Sequence, residues 1–110
     1  MPKRDVDLLL EDIRNAVGKI QRYVARLDRA AFLQDEKSID AVVRNLEIIG
    51  EATKQFPAGF TALHPGIPWR QLAGLRNRIA HDYFGLDVEI VWEIVHHDLP
   101  VLSAALEKLI

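Results

Sequence analysis

Eight consecutive residues, Arg76-Asn-Arg-Ile-Ala-His-Asp-Tyr83, gather two guanidiniums, an amide, an imidazole, a carboxylate and a phenol. That set suits the handling of a phosphodiester. Arginine offers phosphate oxygens a planar fork of donors, and histidine moves a proton near neutral pH. Nowhere else does the chain concentrate reactive groups this way, and Arg70 adds a third cation shortly upstream. By composition alone the same face also fits solvated surface, with Arg78 pairing to Asp82 at i,i+4.

The elements that must position this cluster read as helices. Apolar residues at 6, 9, 10, 13, 17, 20, 24 and 27 recur at steps of three and four, the helical period. They predict a first helix over about 5–28, capped by Asp5 or Asp7. Residues 30–34 form a connector with room for one helical turn. A second helix, capped by Asp35 or Ser38, carries Ile39, Val42, Val43, Leu46, Ile49, Ala52 and Phe56 on one side. Gly50 interrupts it at a cost of about 1 kcal/mol relative to alanine, so close packing of a neighbouring helix is expected there.

Three prolines and two glycines (Gly59, Gly66) make 57–68 a loop. A third helix is expected from 68 or 69 to about 83, with Pro68 in its first turn and Gly85 ending it. Asp87 then caps a fourth helix bearing Val88, Val91, Trp92, Val95, Leu99, Leu102, Leu106 and Ile110, which Pro100 should kink. The expectation is one domain, 1–110, folded as an all-α, up-and-down four-helix bundle.

On an ideal wheel of the third helix, Leu75, Ile79 and Tyr83 lie within about 60° of Leu72 and form the inward stripe. His81 points the opposite way, flanked by Arg70, Gly74, Asn77 and Arg78. Arg76 stands about 140° from His81. The two converge at the rim, through a loosened helix end, or across two subunits. On the second helix, Glu47 and Glu51 share a face. Ion pairing is the simpler role for them; in the other, Glu51 or Asn45 reaches the third helix and positions His81. His96-His97-Asp98 invites a metal, but adjacent residues on a helix diverge by about 100°, and no third ligand is spaced with them. His64, before Pro65, reads as an exposed turn residue.

Composition narrows the class. Apolar residues make up 49% and charged residues 27% of 110 positions, ordinary for a folded domain. The chain has no cysteine, which removes disulfides and thiolate metal sites. The N-terminus turns acidic where a secretory signal would be apolar, and no run approaches the ~20 apolar residues of a membrane span. A cytoplasmic protein with no membrane association is expected. A net charge of −2 gives no global attraction to nucleic acid, so such contact must rest on Arg70, Arg76 and Arg78.

The string from Arg76 through His81 to Tyr83 resembles the R-x4-H-x-Y motif of HepT toxins in the HEPN (higher eukaryotes and prokaryotes nucleotide-binding) superfamily. Val43-Arg-Asn-Leu-Glu-Ile-Ile-Gly-Glu-Ala52 resembles the R-N-L-x-x-I-G-E-A signature of the same family. Pro68-Trp69-Arg70 and Ala73-Gly74-Leu75 resemble its approach to the active motif, so the likeness spans nearly the whole chain. The resemblance implies a homodimeric, metal-independent endoribonuclease without a cofactor, with catalytic Arg76 and His81. Asn77, Arg78, Arg70, Glu51 and Asn45 are supporting or RNA-binding candidates. It also implies a partner, the minimal nucleotidyltransferase antitoxin MntA, which silences the toxin by AMPylating Tyr83. The alternative from another class is a non-catalytic helical subunit that helps a nucleotidyltransferase hold its substrate.

Overall fold

A computed structural model describes residues 5–80 and 85–109; His81, Asp82, Tyr83 and Phe84 of the motif lie outside the described residues. The architecture is all-α. Helix α1 spans Val6–Val24, α2 Arg29–Gln34, α3 Glu36–Thr53, α4 Ala58–Leu63, α5 Trp69–Ala73 and α6 Leu75–Ile79. Then α7, Val88–Glu93, passes through a π-helical turn at Ile94–Asp98 into α8, Leu99–Glu107. The long helices α1 and α3 form the central pair; α5 and α6 cross α3, and α8 returns onto α1.

Aspartates start four of these elements. Asp5 accepts from the Asp7 N–H, Asp28 from Ala31, Asp35 from Ser38 and Asp87 from Ile90, each satisfying a backbone donor that a helix N-terminus leaves unpaired. At the start of α3 the Ser38 hydroxyl also donates to Asp35, at 2.9 Å. The Asp35 carboxyl is held below its ordinary value of 3.8, first by the Ser38 N–H and then by the Ser38 hydroxyl. A depressed carboxyl stabilises the fold above its unfolded pKa and loses that contribution as pH falls through the folded one. Asp35→Ala is therefore expected to lower the urea midpoint at neutral pH, with the gap to wild type closing in acid below pH 3.8.

The predicted stripes become the core. Leu9, Ile13, Ile20, Val42, Leu46, Ile49, Leu75, Ile94 and Leu102 are almost fully excluded from solvent. Phe32 on α2 is fully buried and tilts against Trp92, centroids 5.4 Å apart, so the short connector helix closes one end of the bundle.

Three elements differ from the expectation. The 57–68 stretch contains helix α4, and its aromatic side chains organise it: Phe56 and Phe60 stack at 5.3 Å, and Trp69 tilts against Phe56 at 5.0 Å. His64 is half-buried rather than exposed; it packs on Phe60, and its carbonyl accepts from the Trp69 indole at 2.9 Å. The helix it leads into begins at Trp69, with Pro68 immediately outside it.

The third helix is broken and short. Gly74 divides α5 from α6, and the helix stops at Ile79, not at Tyr83 or Gly85, because Ala80 turns extended (φ −75°, ψ 139°). The Asp87 N–H donates to the Ile79 carbonyl at 2.8 Å, and Ala80 pairs antiparallel with Leu86. These bonds capture the end of α6 that further helix would need. Gly85, at φ +97°, occupies a backbone region that side chains rarely enter. Gly85→Ala is expected to cost about 1–3 kcal/mol, measured as a lowered urea midpoint. Pro100 lies in the first turn of α8, directly after the π-helical turn.

Candidate active site

Gly50 fixes where the motif helix sits. A Cβ placed there would come within 3.3 Å of the Leu72 carbonyl oxygen and 3.9 Å of the Leu75 Cβ, so its absence lets the backbones of α3 and the α5–α6 junction approach closely. Close packing was the expected role of this glycine. Leu72, Leu75 and Ile79 are buried against the core, as their spacing predicts, which turns Arg70, Arg76, Asn77 and Arg78 outward to solvent.

The two motif arginines go separate ways. Arg78 forms an ion pair with Asp98 at the end of the π-helical turn; the local partner its spacing allows, Asp82, lies outside the described residues. It borders a cleft floored by Leu72, Leu75 and Val101. Arg76 stands on the wall of a different cleft, of about 350 Å³, whose other walls include Asp12, Arg44, Glu47, Glu51 and Gln55. Among the described residues the Arg76 side chain makes no hydrogen bond or ion pair. An exposed, unengaged guanidinium on a concave surface is free to take a phosphate.

Of the second-helix candidates, Glu51 shares the Arg76 cleft, where it pairs with Lys54 at 3.3 Å. Asn45 does not reach it. That side chain is buried, donates to the Ala41 carbonyl of its own helix at 2.9 Å, and borders a smaller neighbouring cleft with Asn15 and Lys19. Arg70 and Asn77 are exposed and have no partner among the described residues. The wheel that set Arg76 about 140° from His81 assumed continuous helix, and that premise fails after Ile79, where α6 ends. His81 and Tyr83 themselves are outside the described residues.

The histidines of the last helix are each engaged separately. His96 stacks on Trp92 with centroids 3.6 Å apart, His97 lies 3.3 Å from Glu93, and Asp98 holds Arg78. Among the described residues no cluster of three His, Asp or Glu side chains is arranged to hold a metal ion, and no helix is long and apolar enough to cross a membrane. Arg44 and Gln55 were missed as cleft residues. Their signal was present in the polar series 44, 47, 51, 55 on one face of α3, although nothing in it says which helix lies opposite.

Comparison with known proteins identifies the family. The family model described as HepT-like, "Ribonuclease HepT-like", matches residues 13–109. The chain belongs to that family. A protein named "Probable ribonuclease HepT" from Thermococcus cleftensis is 45% identical over 107 residues, 97% of each chain. Two proteins of Methanocaldococcus jannaschii align along this HepT-like chain's full length. "Putative RNase MJ0127" is 39% identical with 91% of its own length covered, and "Putative RNase MJ0125" is 37% identical with 95% covered. No solved structure matches the chain significantly.

Proposed function

We propose that this chain is a metal-independent endoribonuclease, the toxin of a HepT/MntA-type pair, and that it acts as a homodimer. The observation that carries the reading is Arg76, a guanidinium without a partner among the described residues on the wall of an open cleft. The RNase names of full-length relatives support it.

In this reading the 2′-hydroxyl of a ribose attacks the adjacent phosphorus and the bond to the 5′-oxygen breaks. His81 takes the 2′ proton or returns one to the leaving oxygen, a contribution typically of 10²–10⁴-fold. Arg76 meets the charge that grows on the phosphorane oxygens. Internal attack restricts the reaction to RNA, because deoxyribose lacks the nucleophile. Arg70 and Asn77 serve substrate phosphates, whereas Arg78 is committed to Asp98 and joins them only if that pair opens.

Silencing follows from the position of Tyr83, two residues from His81. A partner nucleotidyltransferase of the MntA type transfers AMP from ATP to the tyrosine oxygen with release of pyrophosphate, placing bulk and negative charge beside the arginines and repelling RNA.

The test incubates purified protein with single-stranded RNA in EDTA, beside His81→Ala, after intact mass has shown Tyr83 unmodified. Cleavage in EDTA that is lost in the variant is the expected result. RNA left intact by unmodified protein, or cleavage unaffected by His81→Ala, overturns the reading and favours an accessory subunit.

A further inference from the structure

The cleft that holds Arg76 contains a second guanidinium, Arg44 on α3. Carboxylates lie within helical reach of it, Asp40 one turn before and Glu47 one turn after. Glu51 also lines the cleft, yet it pairs with Lys54. The Arg44 side chain forms no ion pair or hydrogen bond with any described residue, and it is exposed. Two arginines from different helices thus face one concavity, neither side chain ion-paired with a described residue. Charged side chains that decline available partners and point into a shared cleft mark a place for an anion brought from outside.

Their placement indicates how that anion is held. Helix α6 crosses α3 at Gly50, against Leu72 and Leu75, so Arg76 enters the cleft at the level of Glu51. Arg44 lies six residues earlier on α3 than Gly50, about 9 Å along the axis. That offset suits two successive groups of one chain better than a fork on one group. Both cations sit on a surface whose volume is within the range of ligand clefts, and the protein's net charge of −2 adds no attraction elsewhere.

We infer that Arg44 is a substrate-binding residue: it holds an RNA phosphate neighbouring the one that Arg76 engages, and so sets the path of the strand along α3. The assignment rests on the ribonuclease reading for the identity of the anion. Arg44 contributes to affinity and register. It touches no reacting atom, so its loss raises KM more than it lowers kcat.

The experiment measures binding rather than cleavage. A fluorescein-labelled single-stranded RNA is titrated by anisotropy with His81→Ala protein, and with the same protein also carrying Arg44→Gln or Arg44→Lys, over a series of salt concentrations. Thermal melts establish that all are folded. For single strands each phosphate contact contributes about 0.7 to the slope of log affinity against log salt. Arg44→Gln is expected to weaken binding several-fold at low salt and to make the slope shallower by about 0.7, with Arg44→Lys recovering the slope.

Binding with an unchanged slope in Arg44→Gln overturns the inference and leaves the ribonuclease reading intact. Arg44-dependent binding by a protein whose wild type cleaves nothing overturns the ribonuclease reading alone. No RNA binding by any of the proteins overturns the inference.

Discussion

Arg76→Ala is expected to lower the rate of RNA cleavage by about 10²–10³-fold, the effect of removing one preorganised donor from developing transition-state charge, with the melting temperature unchanged. The second half of that result follows from the structure. The Arg76 side chain is exposed and makes no hydrogen bond or ion pair among the described residues, and surface substitutions away from special features usually fall within about 0.5 kcal/mol of wild type. Arg76→Lys should recover little, because an ammonium offers a point charge where the guanidinium offers a planar fork. Single-turnover cleavage and a thermal melt measured on the same samples check both halves. A variant that cleaves at the wild-type rate would remove Arg76 from the chemistry. One that melts well below wild type would mean the residue has a structural role the fold does not reveal.

Leu75→Ala should do the reverse. Leu75 is 1% exposed and sits where α6 meets Gly50 of α3. Truncating a buried leucine costs about 2–5 kcal/mol, through lost transfer free energy and the cavity left behind. Set against the 5–15 kcal/mol typical of a domain, that is a large fraction of the total. Urea denaturation reads the loss directly. Cleavage should fall as well, since the residue next in sequence is Arg76 and the contact of α6 with α3 is what aims it. The two variants therefore separate presentation of the guanidinium from the guanidinium itself.

Most of the scaffold was legible because it obeys local rules. Steps of three and four marked α1, α3 and the last helix. Asp5, Asp35 and Asp87 each announced a helix start, and Gly50 announced a close approach. The third helix was misjudged in length because its apolar spacing continues through Ile79 toward Tyr83. What ends it is a pair of contacts with residues further along the chain, the Asp87 N–H on the Ile79 carbonyl and the Ala80–Leu86 bridge.

The site was legible in kind but not in arrangement. Arg76 and Arg78 are two residues apart in sequence, yet one faces a cleft with α3 and the other is tied to Asp98, 20 residues away. No periodicity encodes that division. Asn45 belongs to a motif that resembles a family signature, but its side chain serves its own helix; motif membership did not distinguish a buried brace from a cleft residue.

The wide turn before Pro100 has a consequence for phase. Residues 91, 95, 99, 102 and 106 are all buried, and over that length an ideal α-helix would swing its apolar stripe by about 60° around its axis. A π-helical turn advances less per residue and takes up that drift, so the stripe stays on the core from one end to the other. The proline, which has no N–H to give, thereby acts as a timing element for the last helix. Its wide turn also decides which acid comes round to meet Arg78: Asp98 is the final residue of the turn.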